Sequence, residues 1–246
     1  MKKFLILLLF PLIVAANPID EKCPNNVIWG APKVSNENTT QYLCRINYAV
    51  NYNYKTKVAN YVVEHINPKQ LIKKSSRKND FREDTEIPVK YRSTLDDYSG
   101  SGYDRGHMAP AGDFVYDSIA MSESFLLSNL IPQNQNNNRG IWKVLEDHVR
   151  DLSVTHNVYI ITGTIFNPGY KTIGNGVGVP DEIYKIVIVS DIKKIFAFLF
   201  PNKTINSINL SKYIVPVYII EQKSGINFSP LIPENLKQLE LTINKR

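Results

Sequence analysis

Beyond its N-terminal leader the chain has no run of about 18 continuous apolar residues, so no later segment is built to cross a bilayer as a helix. It has only two cysteines, Cys23 and Cys44, with no Cys-x-x-Cys pair and no Cys/His cluster. That composition argues against a structural zinc site. Internal repeats and long low-complexity linkers are absent too, which argues against a solenoid and for a single domain over residues 17–246. Acidic residues are the minority, 23 Asp and Glu against 29 Lys and Arg, for a formal charge of +6. Two of those positive charges belong to Lys2 and Lys3. The remaining excess favours a polyanionic partner without identifying one.

The first residues carry a processing signal. Lys2 and Lys3 precede an apolar run from Phe4 to Ala15, interrupted only by Pro11, and Val14, Ala15 and Ala16 supply small residues for a cut. A signal peptide over 1–16 is expected, and with it export to the periplasm or the medium. After its removal no stable membrane association is expected. An even cysteine count behind an export signal predicts one disulfide, Cys23 to Cys44. Closing that loop contributes about 3 kcal/mol, mainly by restricting the unfolded chain.

The rest reads as mixed α and β. Ile46–Tyr54 and Tyr61–Ile66 suit strands, and Lys69–Arg82 is a polar, basic loop. Asp117 is placed to cap a helix running through Ser124, after which Phe125–Leu127 looks extended. Gln133–Asn138 reads as an Asn/Gln-rich loop. Trp142–Leu152 has helical spacing, with Trp142, Leu145, Val149 and Leu152 as its apolar stripe. Tyr159–Thr162, Tyr184–Val189 and Ile195–Phe200 are β-rich, and Gly174–Pro180 is a turn-rich connection. Pro216–Gly225 is ambiguous: its residues favour a strand, its flanking Pro and Gly a short helix.

Two segments carry chemistry. Asp104-Arg105-Gly106-His107 gathers an anion, a cation and an imidazole around a glycine read as flexible. Histidine is suited to accept a proton near neutral pH, and an arginine fork to hold a phosphate. A lone histidine is nevertheless more often structural than catalytic. The second segment is Asn138-Arg139-Gly140-Ile141-Trp142, followed by Leu145, Glu146 and Arg150. Asn138 is expected either to cap the helix that begins there or to ligate a hard cation through its amide oxygen. Glu146 is expected either to hold metal-bound water or to form an ordinary i,i+4 pair with Arg150.

With these segments in place the chain resembles the non-specific DNA/RNA endonucleases of the ββα-metal (His-Me finger) superfamily, the family of the Serratia nuclease and mitochondrial endonuclease G. The resemblance rests on Asp104 through Pro110, Ser128 through Gln133, and Asn138 through Glu146, and extends weakly over about residues 28–228. It implies an α+β single mixed domain with a central antiparallel sheet, flanking helices and a ββα-metal finger active site. It implies an endonuclease hydrolysing DNA and RNA with little sequence specificity and leaving 5′-phosphates, with Mg²⁺, or Mn²⁺ in its place, as cofactor.

Residue by residue, His107 matches the general base, Asn138 the direct metal ligand and Glu146 the acid that reaches the ion through water. Arg150 matches an arginine near the scissile phosphate, and Asp104 and Arg105 match positions that shape the site and meet the substrate. An upstream basic residue that steadies the transition state is assigned to Arg77, with Lys78 and Arg82 behind it. Lys69, Lys73, Lys74, Arg77, Lys78 and Arg82 together suit phosphate contacts. Two other classes compete: an inactive nucleic-acid-binding relative, expected to lack His107 or Asn138, and a phosphodiesterase acting on another phosphorylated substrate. Chelator-sensitive nicking of plasmid DNA separates them. Oligomeric state and biological role are not encoded in any motif found.

Overall fold

The structure is a computed structural model that describes residues 22–24, 26, 27, 30–35, 37–72, 75–189, 191–228 and 232. The expected signal peptide over 1–16, and Lys73 and Lys74 of the basic run, lie outside the described residues. The framework is a six-stranded sheet in the order β1-β2-β3-β6-β9-β10, with every neighbouring pair antiparallel. Its strands are β1 (Thr40–Cys44), β2 (Tyr48–Asn53), β3 (Val58–Ile66), β6 (Val158–Ile165), β9 (Glu182–Val189) and β10 (Lys194–Pro201). Two short pairs lie outside it: β4 (Asp104–His107) with β5 (Leu130–Gln133), and β7 (Thr172–Ile173) with β8 (Val177–Gly178). Helical segments are α1 (Leu95–Tyr98), α2 (Ser118–Glu123), α3 (Gln135–Asn137), α4 (Lys143–Ser153) and α5 (Val217–Ser224). The fold is α+β around a central antiparallel sheet, and β4, β5 and α4 make the ββα finger.

The sheet sits where β-branched and aromatic runs are densest. Every position of β6 is buried, as a central strand covered on both faces must be. On one face Val62, Ile160, Val187 and Phe198 pack with Leu145 and Val149 of α4. On the other, Val63, Ile161, Ile186 and Leu199 pack with Val217 and Ile220 of α5. Cys23 and Cys44 form the expected disulfide, with Cα atoms 5.4 Å apart, tying the N-terminal segment to β1.

Several local expectations need correction. Asp117 does cap α2, accepting from the Ile119 and Ala120 amides, but Phe125–Leu127 is not extended. Only Leu126 bridges, to Arg82, and Leu127–Asn129 winds into a 3-10 turn that aims Asn129 inward. The Lys69–Arg82 loop begins with a 3-10 turn at Pro68–Leu71, capped by Asn67. Gly174–Pro180 contributes the short strand β8 rather than turn alone. Gln133–Asn138 is not a loop: Gln133 ends β5 and Asn134 caps α3. Pro216–Gly225 resolves to helix, closed by Gly225 at φ +68°, where a side chain would be strained.

Candidate active site

The site is built where β4 and β5 pair and the following chain turns into α4. Asp104 faces Gln133 and His107 faces Leu130 across this hairpin. Gly106 is buried in β4, and a Cβ there would lie 2.0 Å from Gln133 Oε1. The glycine therefore supplies room for Gln133 rather than flexibility, which corrects the sequence reading. Behind the strand Asn129 clamps the chain just after His107. Its Oδ1 accepts from the Ala109 amide (3.0 Å), and its Nδ2 donates to the carbonyls of Ala109 (2.8 Å) and Ser124 (2.9 Å).

His107 is held between two aromatic rings. Phe125 meets it edge-on at 5.0 Å and Phe81 lies 5.8 Å away. The guanidinium of Arg105 stands 4.2 Å over Phe81, and that of Arg77 stands 5.2 Å over Phe125. Burial, then the charges of Arg77 and Arg105, push the His107 pKa down to about 3. The imidazole is thus neutral near pH 7, and its Nε2 has no hydrogen-bond partner in the protein.

Across the cleft the chain makes a π-helical turn at Asn138–Trp142, with Gly140 leaving helical geometry at φ −103°, ψ −110°. Asn138 does not cap a helix: Asn134 fills that role, accepting from the Asn137 amide. The Asn138 Nδ2 donates instead to Asp104 Oδ2 at 2.9 Å, which leaves its carbonyl oxygen as an acceptor. Arg139 grips the same carboxylate in a fork, with Nε to Oδ2 at 2.8 Å and Nη2 to Oδ1 at 2.6 Å. Partial burial works to raise the Asp104 pKa, but hydrogen bonds from Arg139 and Asn138 outweigh it and hold the carboxyl below its usual range.

Glu146 lies in the first turn of α4, two turns on from Asn138. Burial pushes its pKa up to about 7, opposed by Lys185 and reinforced by Asp113. It makes no pair with Arg150, contrary to the simple i,i+4 expectation. Arg150 bonds Asp113 at 2.8 Å and also Asp147, crossing above Gly112, where a Cβ would approach its Nη1 to 2.9 Å.

His107, Arg105, Asp104, Asn138, Glu146, Arg150 and Arg77 line one cleft of about 410 Å³. Lys78 and Arg82 are not in its wall. Arg82 is committed to Asp80 and to the Ser122 carbonyl. Of the three upstream cations, Arg77 alone lines the cleft. Arg139 and Lys143 also line it, although sequence reasoning gave them no role; their places beside Asn138 and one turn before Glu146 were the available signal.

Among the described residues no three His, Cys, Asp or Glu side chains converge on a cation position. The donors present are one amide oxygen, from Asn138, and one carboxylate, from Glu146. They do not suit zinc, and they fit an oxygen-preferring divalent ion that keeps most of its waters.

A family model described as DNA/RNA non-specific endonuclease matches residues 30–235. Nuclease C1 of Cunninghamella echinulata is 37% identical over 206 residues, 76% of this chain and 82% of that one. Human mitochondrial endonuclease G is 35% identical over 209 residues, 78% of this chain and 70% of that one. Mouse mitochondrial nuclease EXOG is 35% identical over 75% of this chain but 55% of its own, so the match spans about half of that relative's length. A chain in the crystal structure of the EndoG/EndoGI complex superposes with a TM-score of 0.75 at 31% identity, covering 85% of this chain and 91% of that one.

Proposed function

The chain belongs to the DNA/RNA non-specific endonuclease family, and from that premise we propose that it hydrolyses internal phosphodiester bonds of DNA and RNA, leaving 5′-phosphates. One observation carries this reading above the others. A neutral imidazole lines a cleft that also holds Arg77, Arg105, Arg139, Lys143 and Arg150, the charges a polyanion backbone requires.

In this reading the His107 imidazole removes a proton from the attacking water, the role of a general base within hydrogen-bond reach. Arg105 and Arg77, stacked on Phe81 and Phe125, are held side by side with the base and present their forks to the phosphate oxygens. Arg150, fixed by Asp113, holds the far side of the same group. Asp104 positions Asn138 and Arg139 rather than meeting the anionic substrate. Asn138 and, through water, Glu146 would hold Mg²⁺, or Mn²⁺ in its place, which when bound supplies positive charge against the developing charge on phosphate and leaving oxygen. Contacts of this kind are to the backbone of the nucleic acid and carry little sequence information.

We further propose that residues 1–16 are removed and that residues 17–246 act in the periplasm or the medium. The apolar leader and the Cys23–Cys44 disulfide support an oxidising destination. Relatives named as mitochondrial make an organelle the competing address, and no helix among the described residues is long and apolar enough to cross a membrane. N-terminal sequencing of the protein from each cell fraction decides it, and an intact Met1–Ala16 segment on the active protein would overturn the export proposal.

The activity is tested by incubating the purified chain with supercoiled plasmid and with RNA across a Mg²⁺ titration and with a chelator. Both substrates should be cut, only with metal, and the ends should accept label from a kinase only after phosphatase treatment. Undiminished cutting in chelator, or no cutting in any metal, would sink the reading.

A further inference from the structure

Directly beneath the cleft the central sheet carries a lysine where an aliphatic residue would pack more cheaply. Lys185 lies on β9 between Tyr184 and Ile186 and is only 1% exposed. A buried ammonium normally sits in an ion pair, because its desolvation costs several kcal/mol. Lys185 makes no ion pair within salt-bridge distance among the described residues. Its Nζ donates to Thr162 Oγ1 on neighbouring β6 at 2.6 Å and, at a longer 3.4 Å, to the carbonyl of Met108. It also stands 5.2 Å from the centre of the Trp142 ring, a cation–π distance.

Those contacts tie together the two halves of the site. Met108 directly follows His107 at the end of β4. Trp142 stands four residues after Asn138 and four before Glu146, one helical turn from each. Thr162 lies in the sheet itself, paired in register with Lys185. One buried cation therefore joins the strand that carries the base, the helix that carries the metal donors and the rigid sheet below them. The carboxyls of Glu146, Asp113 and Glu64 all feel it, since its charge lowers the pKa of each against the effect of burial. An apolar side chain of the same length would fill the space without the desolvation cost, so packing alone does not account for the charge.

We propose that Lys185 is a positioning residue for phosphodiester cleavage, holding the His107 strand and the Asn138–Glu146 helix in reacting register through Met108, Trp142 and Thr162. The proposal rests on the nuclease reading above. It assigns Lys185 no contact with substrate. A misplacement of about 1 Å between base and metal donors is enough to lose roughly 10²-fold in rate.

The test is Lys185→Met, which keeps the length and removes the charge. On supercoiled plasmid with saturating Mg²⁺ its kcat should fall by about 10–100-fold while KM and the affinity for DNA measured in chelator stay within about twofold. The melting temperature should hold or rise, because replacing a buried charge by an apolar group is often neutral or stabilising. Thr162→Val, which removes only the hydroxyl partner, should lose about threefold and add nothing in the Lys185→Met background, the non-additivity expected of one network. Wild-type kcat in Lys185→Met overturns the proposal. So does a loss of activity that merely tracks a lowered melting temperature, which is a purely structural role. Should Lys185→Met fail to fold, wild-type kcat in Thr162→Val overturns it alone. If the unmodified chain cuts neither substrate the nuclease reading itself has failed, whereas an active wild type with a fully active Lys185→Met removes this inference only.

Discussion

The two faces of the central sheet are made of the same strands and could hardly differ more. Toward α5 the face is Val63, Ile161, Ile186, Ile188, Ala197 and Leu199, with Tyr61 and Tyr159 donating their hydroxyls to the carbonyls of Pro32 and Gly30. Among the described residues the Tyr184 hydroxyl and the Asn51 Nδ2 lack partners on that side. Toward α4 the same alternation brings Glu64, Thr162 and Lys185 into the interior, and both carboxylate oxygens of Glu64 are without partners. Above them lie Asp113, Glu146 and Arg150. One face leaves only neutral groups unpaired, and the other buries ionisable ones beneath the cleft, with a carboxyl unpartnered. The difference separates a wall that stabilises the fold from a wall that trades stability for chemistry. Substitutions on the cleft side should cost activity and little stability, and those on the far side the reverse.

The sharpest break of that pattern would come from His107. His107→Ala is expected to lower kcat by at least about 10²-fold, the scale of general-base catalysis, while DNA binding in chelator stays near wild type. Removing an imidazole that is kept neutral inside the protein should also flatten the acid side of the stability curve. The folded pKa, about 3, is depressed below the ordinary 6.5, so the contribution is complete above 6.5 and lost as pH falls toward 3. Melting curves from pH 7 down to about 4 should therefore show a smaller fall in the variant than in wild type, by roughly 2–4 °C for each kcal/mol of that contribution. A rate within tenfold of wild type would remove His107 from the mechanism.

Next in size come the metal donors. Asn138→Ala should abolish measurable cleavage at ordinary Mg²⁺ and weaken Mn²⁺ binding, read by calorimetry, whereas Glu146→Ala should lose about 10–100-fold and be partly recovered by more metal. Helix capping no longer competes as an explanation, since Asn134 is the cap and Asn138 bonds Asp104. A Glu146→Ala variant weaker than Asn138→Ala at every metal concentration would reverse the two assignments.

How far this site could be read from sequence follows from the length of its parts. The α4 helix was legible because Leu145 and Val149 repeat at helical spacing and are buried where expected. The capped helix after Asp117 was legible for the same local reason. The β4–β5 hairpin was not, because each strand is four residues long, too short to show a period, and Pro132 argues against one of them. A run of asparagines offered several equivalent caps, and only the Asp104 carboxylate, brought over by the hairpin, singles out Asn138 for another role. Lys185 belongs to the β-rich run Tyr184–Val189, and nothing local in that run assigns its ammonium a partner. Its burial comes from covering the sheet on both faces, which is decided by elements far away in the chain.

On the far face, the disulfide should matter for stability alone. Cys23→Ala with Cys44→Ala is expected to lose about 3 kcal/mol, for a loop separation of 21 residues, at unchanged kcat per folded molecule. Denaturant unfolding of the double variant beside wild type, with rates taken well below both midpoints, measures the two together. A drop in kcat without a change in midpoint would mean that the N-terminal segment reaches the cleft.

The smallest effect is expected at Glu64, and it tests whether the cleft face really carries a stability cost. Glu64 is 1% exposed, and neither carboxylate oxygen has a partner. Burial first, then the neighbouring Asp113 carboxyl, raise its pKa well above 4.5, with Lys185 opposing. A carboxyl whose folded pKa is raised contributes most below its unfolded value, and the contribution is lost as pH climbs through the folded one. Glutamine copies the shape of the protonated acid and cannot ionise. Glu64→Gln should therefore melt close to wild type at about pH 4.5 and gain on it steadily toward about pH 8, with each kcal/mol appearing as roughly 2–4 °C. A constant offset would reflect the new amide N–H groups, which themselves need partners, so the slope with pH is the informative quantity. Parallel curves would mean that Glu64 titrates as an ordinary carboxyl, its oxygens satisfied by water, and that the polar wall under the cleft costs the fold nothing.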